Sequence, residues 1–364
     1  MALKVLVVDD TIVYRKIVSD LLAEIPGVEV VGSASNGKSA LFRIRSLKPD
    51  LITLDVEMPV LNGLETLEKI KEEGLDVGVI MLSTLTRKGS ETTMQALELG
   101  AFDFLAKPDT ETREQGIKTL RQALQPKIRA YQNRLEVRRY LRKGKRVTKA
   151  GAEVLVPSAP DEVTAREKAR QRTEKSAVVA LGISTGGPNT LTRMLPQLPG
   201  DLPVPVLIVQ HMPALFTKSL ANSLDNKCAL AVREAVDGEG VDPGIVYIAP
   251  GEKQMKVVTG AAGKKVIRIT DDPPENNCRP AADYLFRSVA REYGSAVTAV
   301  IMTGMGSDGT LGLRVIKSFG GVSIAQNAET SVVYGMPKTA IEAGVVDIIA
   351  PLDKIAAEIV NTVK

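Results

Sequence analysis

Short runs of apolar residues alternate along the chain with stretches whose apolar positions recur at a helical spacing. In the first third there are five such runs, at residues 3–8, 28–31, 51–54, 77–82 and 102–105. An unbroken apolar run is typical of a strand buried on both faces, and strands that alternate with helices form a parallel, doubly wound sheet. We therefore predict an α/β domain over residues 1–124, with a C-terminal helix over residues 111–124.

The same alternation returns in the second half of the chain. Further strands are predicted at residues 178–183, 204–210, 297–302, 322–325 and 345–349, with helices between them. Glycine and proline turns separate three more apolar runs, at residues 245–249, 253–258 and 265–269, which predict strands joined by hairpins. The pattern indicates a second doubly wound, mostly parallel α/β domain over residues 176–364, with residues 125–175 as an interdomain linker.

Composition excludes several classes of protein. Hydrophobic residues make up 44% and charged residues 25% of the chain, as in ordinary globular proteins. Tryptophan is absent and aromatic residues are only 4%, so little is available for stacking on nucleic-acid bases, and no nucleic-acid partner is expected. No apolar run approaches a membrane span, and no secretory leader or cysteine metal motif is present, so we expect a cytoplasmic protein without membrane insertion.

The predicted linker is strongly basic. Between residues 127 and 149 it holds ten basic residues and one acid, a net charge of +9 in a chain whose total is +4. A solvated interdomain helix is the favoured interpretation. The alternative is a patch for anionic partners such as nucleic acid, membrane lipid or an acidic receptor surface.

Polar side chains end the predicted strands of the first domain. Asp9 and Asp10 follow the first strand, Asp55 the third, Ser83 the fourth and Lys107 the fifth. Because the carboxyl ends of parallel strands share one sheet edge, three carboxylates should meet there and need a cation, and oxygen ligands of this kind suit Mg²⁺. A lysine and a hydroxyl complete a cradle for a small dianion, and Asp55 can act as a phosphoryl acceptor.

Four motifs in this domain, VVDD (7–10), LDVEMPVLNG (54–63), MLST (81–84) and AKP (106–108), resemble the receiver domain of two-component response regulators. The resemblance implies a flavodoxin-like fold, Mg²⁺ at the acidic cluster, and phosphorylation of Asp55 by a histidine kinase of the chemotaxis type. It further implies a metal-binding backbone carbonyl at Glu57. Ser83 and Lys107 would bind the phosphoryl group, and Phe104 would report the movement of Ser83.

Three strand ends of the second domain carry candidate chemistry. Ser184 lies in the turn STGGP after the strand 178–183, where backbone N–H groups could cradle a phosphate or the serine could be a nucleophile. His211, the single histidine, ends the neighbouring strand and is the one histidine available as a general base, although a lone histidine is more often simply packed. Asp308, in TGMGSDG, could cap the following helix or orient a catalytic histidine. Together the three favour catalysis, and the order Ser-His-Asp argues against the α/β-hydrolase fold and for a different doubly wound domain.

The motifs GISTGGP, VQHMP and TGMGSDGTLG, downstream of a receiver, resemble the CheB family of chemotaxis protein-glutamate methylesterases. The resemblance implies a serine esterase, without a cofactor in this domain, that demethylates glutamyl γ-esters of chemoreceptors and deamidates receptor glutamines. Ser184, His211 and Asp308 would be catalytic, the backbone N–H groups of Thr185 and Met305 would hold the oxyanion, and the unphosphorylated receiver would cover the site. The alternative is a response regulator whose second domain only binds a nucleotide, another ligand or nucleic acid.

Overall fold

The computed structural model describes residues 2–108, 112–142 and 175–363, and the chain divides into two compact units between Asn133 and Arg134. No helix among the described residues is both long and apolar enough to cross a bilayer. Each unit is built around its own parallel sheet.

The first unit contains a five-stranded sheet in the order β2-β1-β3-β4-β5, in which every pair is parallel. This strand order is that of flavodoxin-like folds, so the predicted receiver fold is confirmed. The strands are β1 (Leu3–Val8), β2 (Val28–Ala34), β3 (Leu51–Asp55), β4 (Gly78–Ser83) and β5 (Asp103–Ala106). The helices are α1 (Ile12–Ala23), α2 (Gly37–Leu47), α3 (Gly63–Glu72), α4 (Arg87–Leu99) and α5 (Arg113–Arg142).

Helix α5 is longer than the sequence pattern predicted. It continues past residue 124 because its later turns still pack on the first unit: Tyr131 donates a hydrogen bond to Asp50 O (2.9 Å), and its ring meets Phe102 edge-on at 5.0 Å. The first part of the basic segment is therefore helical. Residues 143–149 of that segment, and the side chains of residues 137–142, lie outside the described part of the chain. The boundaries at residues 124 and 175 stay predictions.

The second unit contains a seven-stranded parallel sheet in the order β14-β13-β12-β6-β7-β9-β8. Its strands are β6 (Val178–Ile183), β7 (Val206–Gln210), β8 (Ala231–Glu234), β9 (Ile245–Ile248), β12 (Val297–Ile301), β13 (Val322–Gln326) and β14 (Ile348–Ala350). The helices are α6 (Gly187–Met194), α7 (Phe216–Asp225), α8 (Ala282–Tyr293), α9 (Thr310–Ser318), α10 (Met336–Glu342) and α11 (Leu352–Val363).

Two details of this unit differ from the predictions. Only β10 (Gln254–Thr259) and β11 (Lys265–Thr270) form a hairpin, whereas β9 joins the main sheet in parallel with β7 and β8. Strand β8 was not predicted because its four residues, AVRE, lie at the sheet edge with only one fully buried apolar side chain. The doubly wound parallel architecture itself is confirmed.

Phe286 of α8 supports the part of the sheet that carries the candidate site. Its ring is fully buried and packs directly against the backbone at two glycines. A Cβ atom at Gly182 would lie 3.4 Å from this ring, and one at Gly309 would lie 3.3 Å from it. Gly182 is two residues before Ser184 and Gly309 directly follows Asp308, so α8 packs under both segments.

We predict that Phe286→Ala lowers the free energy of unfolding of the second unit by about 3–5 kcal/mol, because it leaves a cavity in a closely packed core. The matched control is Phe319→Ala, whose side chain is 46% exposed. The control should cost about 0.5 kcal/mol or less. Urea unfolding of the full chain, followed by circular dichroism, measures both. Equal effects for the two variants would contradict the supporting role of Phe286.

Candidate functional site

The register of the central strands sets Ser184 beside His211. Strands β6 and β7 pair in parallel with Ile183 opposite Gln210, so the residues that follow them leave the sheet side by side. The backbone N–H of His211 donates to Ile183 O (3.2 Å), and Gln210 Nε2 donates to Ser184 O (3.0 Å). The structure therefore brings the predicted nucleophile and base to one edge of the sheet.

The loop after β12 closes over the Ser184 turn. Ser184 N donates to Thr303 O (2.9 Å), and the Thr303 hydroxyl donates to Thr185 O (3.0 Å). A Cβ atom at Gly304 would overlap Met336 Sδ and would lie 2.8 Å from Ser184 Cβ, closer than side-chain carbons approach each other. A glycine at this position lets the loop approach the serine.

Asp308 is buried, with its residue only 2% exposed, and its carboxylate accepts four hydrogen bonds. The donors are His211 Nε2 (2.8 Å), Asn276 Nδ2 (2.9 Å), Ala282 N (2.6 Å) and Asp283 N (3.1 Å). Its side chain makes no capping bond to α9, the helix that follows it, but caps the N-terminus of α8 instead. The Asp308 carboxylate is thus hydrogen-bonded both to the histidine and to the N-terminus of α8.

Burial and hydrogen bonding act in opposite directions on this pair. Burial raises the pKa of Asp308, but the hydrogen bonds from His211 and from backbone N–H groups outweigh it and lower the pKa below its usual value. Burial lowers the pKa of His211, but the Asp308 hydrogen bond, with the contact to Cys278, raises the pKa above the usual imidazole value. The carboxylate therefore stabilises a positive charge on the imidazole, as a proton-transfer residue requires.

The Asp308 contact also decides which imidazole nitrogen is available. An ionised carboxylate only accepts hydrogen bonds, so in the neutral imidazole we assign the proton to Nε2, which leaves the lone pair on Nδ1. Nδ1 lies 3.6 Å from Cys278 Sγ. Among the described residues no hydrogen bond joins the Ser184 hydroxyl to His211, although such bonds often form only when substrate is bound.

Two backbone N–H groups beside Ser184 suit the stabilisation of an oxyanion. Within the ranges that the structure describes, neither Thr185 N nor Met305 N donates a hydrogen bond to a protein atom. Thr185 belongs to the turn after β6, and Met305 to the loop after β12. Unpartnered N–H groups next to a nucleophile can bind developing negative charge.

The structure adds residues that the sequence analysis missed, chiefly in the loop before α8. Asn276 Nδ2 donates both to Asp308 and to Asp283 Oδ2 (2.9 Å), a second buried carboxylate whose pKa is raised by burial. Cys278 lies in the same loop. A signal was present in the run of turn-forming residues PPENNCRP ahead of the helix, but nothing in the sequence connects this loop to His211.

In the first unit, Lys107 joins two of the predicted carboxylates. Lys107 Nζ lies 2.8 Å from Asp9 Oδ2 and 2.8 Å from Asp55 Oδ2, and both aspartates are buried. Burial raises the pKa of Asp55 to about 6, against the opposing effect of Lys107. Oxygen atoms of Asp9, Asp10 and Asp55 lie within 4.8 Å of one another.

The remaining predicted residues of this unit surround the cluster at different depths. Glu57 is exposed and lines the same pocket as Asp10. The Ser83 hydroxyl is buried and donates to Gly89 O (3.1 Å). The Phe104 ring is also buried, and Lys127 Nζ lies 5.7 Å from its centre. In this structure the Ser83 hydroxyl is therefore bonded to the first turn of α4.

The acidic cluster fits a divalent cation with oxygen ligands. Three carboxylates and one ammonium group leave an excess of two negative charges around oxygen atoms within 4.8 Å of one another. Asp10 is exposed, so the site is open on one side to water and to a phosphoryl group. Such a site suits Mg²⁺, which keeps part of its water shell.

Comparisons with known proteins agree with both resemblances. A family model described as CheB methylesterase matches residues 179–359, and one described as response regulator receiver domain matches residues 5–121. A protein-glutamate methylesterase/protein-glutamine glutaminase of Desulfotalea psychrophila is 54% identical, covering 100% of this chain and 99% of the relative. One of Bacillus subtilis is 44% identical, with 100% and 99% covered. The crystal structure of the Thermotoga maritima CheB methylesterase catalytic domain is 45% identical, with a TM-score of 0.51, covering 52% of this chain and 99% of that one.

We predict that Gly304→Ala slows covalent labelling of Ser184 by a fluorophosphonate by about 10²-fold, because the new methyl group displaces the serine. Mass spectrometry of the labelled peptide measures the rate. Gly240→Ala is the control in the same unit, since a Cβ atom there would lie 3.4 Å from the nearest atom, an ordinary contact. Labelling at the wild-type rate in Gly304→Ala would show that the close approach of this loop is unimportant.

Proposed function

The chain belongs to the CheB family of methylesterases, and on that premise we propose that Ser184, His211 and Asp308 carry its reaction. It is a protein-glutamate methylesterase/protein-glutamine glutaminase with a receiver domain, and it acts in chemotaxis adaptation. This membership leaves no support for the alternative of a second domain that only binds a ligand.

In the first step, Ser184 Oγ attacks the γ-carbonyl carbon of a methylated glutamate while His211 Nδ1 takes the hydroxyl proton. The negative charge that develops on the carbonyl oxygen is held by the N–H groups of Thr185 and Met305. Asp308 stabilises the imidazolium through Nε2. Collapse of the intermediate breaks the bond to the methoxy group, which leaves as methanol with the proton from His211.

In the second step, water hydrolyses the acyl-enzyme. His211 removes a proton from the water, and the Ser184 hydroxyl is restored when the second intermediate collapses. A glutamine side chain follows the same course, with ammonia in place of methanol. One set of residues thus accounts for both activities.

The observation that supports this assignment best is the His211–Asp308 hydrogen bond of 2.8 Å beside Ser184 on the adjacent, paired strand. A buried aspartate with several donors is also found at helix caps, but here it holds the single histidine of the chain. The two unpartnered N–H groups lie in the loops that flank the serine.

For the first unit we propose that a chemotaxis-type histidine kinase phosphorylates Asp55 and that this raises the esterase activity. Asp9, Asp10 and the backbone carbonyl of Glu57 would hold Mg²⁺ with Asp55, and the ion supplies charge neutralisation for the phosphoryl oxygens when bound. Lys107 and Ser83 would then bind the phosphoryl group. The ion pairs of Lys107 with Asp9 and Asp55 support this, because a third anion can replace either partner.

We propose methyl-accepting chemoreceptors as the substrate and the cytoplasm as the location. The names of the relatives state the acceptor residues, glutamate and glutamine. Both cysteines are free thiols, which suits a reducing compartment. We also propose residues 1–124 as the receiver, 125–175 as the linker and 176–364 as the catalytic domain.

We predict that Ser184→Ala reduces methanol release from methylated receptor by at least about 10⁴-fold, because the acyl-enzyme can no longer form. His211→Gln should lose a similar factor, since the serine then lacks its base. Thr192→Ala, on the neighbouring helix α6, is the control and should retain the wild-type rate, because the Thr192 hydroxyl donates to Pro188 O within its own helix. Circular dichroism verifies that each variant folds. Substantial turnover by Ser184→Ala would refute the nucleophile assignment.

A second prediction concerns the receiver. The ratio of methanol release with and without a small acyl phosphate should exceed one in the wild type and fall to one in Asp55→Asn, because the acceptor carboxylate is lost. Chelation of divalent cations should also lower this ratio to one in the wild type. Asp50→Asn, away from the acidic cluster, should keep the ratio. A persistent response in Asp55→Asn would place the phosphorylation elsewhere.

A further inference from the structure

Cys278 lies against the one lone pair of His211 that Asp308 leaves free. Its Sγ atom is 3.6 Å from Nδ1, while Nε2 donates to Asp308 at 2.8 Å. In the proposed function this sulfur has no task. A thiol and an imidazole lone pair that face each other are, however, two of the ligand types that bind zinc.

We propose that His211 Nδ1 and Cys278 Sγ form a Zn²⁺ site inside the catalytic centre. A tetrahedral zinc ion with bonds of about 2.0 Å to nitrogen and 2.3 Å to sulfur holds these two ligands about 3.5 Å apart. The observed separation is 3.6 Å. The two ligands are therefore already at the spacing that the ion needs, without a change in the backbone.

Asp308 completes the site from the other side of the imidazole. Zinc-bound histidines commonly donate their second N–H to a carboxylate, which fixes the ring and makes the other nitrogen a better ligand. The His211–Asp308 bond has this form, and the candidate ligand atoms of all three residues lie within 4.8 Å of one another. Two coordination positions are left for water, so the site is open and its occupancy reversible.

The local backbone holds the sulfur in place. Cys278 N donates to Glu275 O (2.7 Å), and Glu275 N donates to Cys278 O (3.1 Å), which closes a tight turn. Arg287 of α8 pairs with Glu275 at 2.5 Å and anchors this turn to the helix. Asn276 and Asn277 have φ angles of 52° and 59°, a left-handed conformation that asparagine tolerates. These contacts fix the backbone turn from which the Cys278 side chain extends.

Binding exchanges a proton for the ion. The Cys278 S–H bond breaks, the proton goes to solvent, and a Zn–S bond forms, while Nδ1 donates its lone pair to the metal. Thiolate ligands favour Zn²⁺ over Mg²⁺, so the magnesium required by the first unit does not compete. Because Nδ1 is the nitrogen that takes the Ser184 proton, bound zinc inhibits the esterase. This consequence rests on the proposed role of His211; the metal site itself does not.

The test uses the full chain, freed of metal and kept reduced with a phosphine. Co²⁺, a spectroscopic substitute for Zn²⁺, should give a thiolate-to-cobalt charge-transfer band in the wild type and in Cys228→Ser, the matched thiol control. The band should be absent in Cys278→Ser and displaced by stoichiometric Zn²⁺. The carboxylates of the first unit contain no thiolate and cannot produce this band.

Activity is measured in the same samples. With Mg²⁺ in excess, Zn²⁺ should inhibit methanol release by the wild type and by Cys228→Ser, and a chelator should restore it. For Cys278→Ser, relative to its own zinc-free rate, half-inhibition should need at least about tenfold more Zn²⁺, since even outer partners of a zinc ligand are worth 10–100-fold in affinity. Cys278→Ala serves as a second variant if the serine variant fails to fold.

Two results would overturn the proposal: absence of the charge-transfer band in the wild type, or equal zinc affinity of Cys278→Ser and Cys228→Ser. Zinc binding that depends on Cys278 but leaves methanol release unaffected would keep the metal site and contradict both the inhibition and the assignment of His211 as the base. Failure of the site and failure of the proposed function are therefore distinguishable.

Discussion

The arrangement of the candidate site in the second unit depends on how the buried carboxylate of Asp308 is stabilised. Asp308 is almost completely buried, and a carboxylate in that position is stable only when its oxygen atoms are hydrogen-bonded. Donors come from three places: the end of β7, the loop that contains Asn276, and the N-terminus of α8. Segments far apart in the sequence are thereby fixed around a single side chain. The fixed imidazole orientation, and with it the free Nδ1 lone pair, follows from this arrangement.

The first unit stabilises its buried carboxylates in a different way. Its buried aspartates, Asp9 and Asp55, share one ammonium group, that of Lys107, and the exposed Asp10 adds further negative charge. The set therefore remains negative and open, which suits a cation and an incoming phosphoryl group, whereas the donors around Asp308 form a closed set. In both units the carboxyl ends of parallel strands gather the polar groups, since that is where loops meet in a doubly wound sheet.

The sequence predicted the polar clusters at the carboxyl ends of the strands, because these clusters follow from the parallel order of the strands. An apolar run followed by Asp, Ser or His is a local pattern, and parallel pairing turns several such patterns into one cluster. Local patterns do not predict features that depend on contacts between residues far apart in the sequence. Helix α5 extends beyond residue 124 because Tyr131 contacts Asp50 and Phe102, and β9 lies in the main sheet because it pairs in parallel with both β7 and β8. The contact of Cys278 with His211 depends on the path of a loop with two left-handed asparagines, which no periodicity encodes.

The position of Cys278 has a consequence for how the site can be used. Nδ1 of the neutral His211 imidazole has one lone pair, which the proposals above assign to the Ser184 proton or to a metal ion, and Cys278 Sγ lies 3.6 Å from it. Only one can occupy it at a time. In the structure the sulfur lies next to Nδ1 while the Ser184 hydroxyl makes no bond to it, so the proposed mechanism requires substrate binding to bring the serine to Nδ1. Under the proposed mechanism, a metal ion held by the Cys278 thiolate and Nδ1 would therefore compete with Ser184 for the same base.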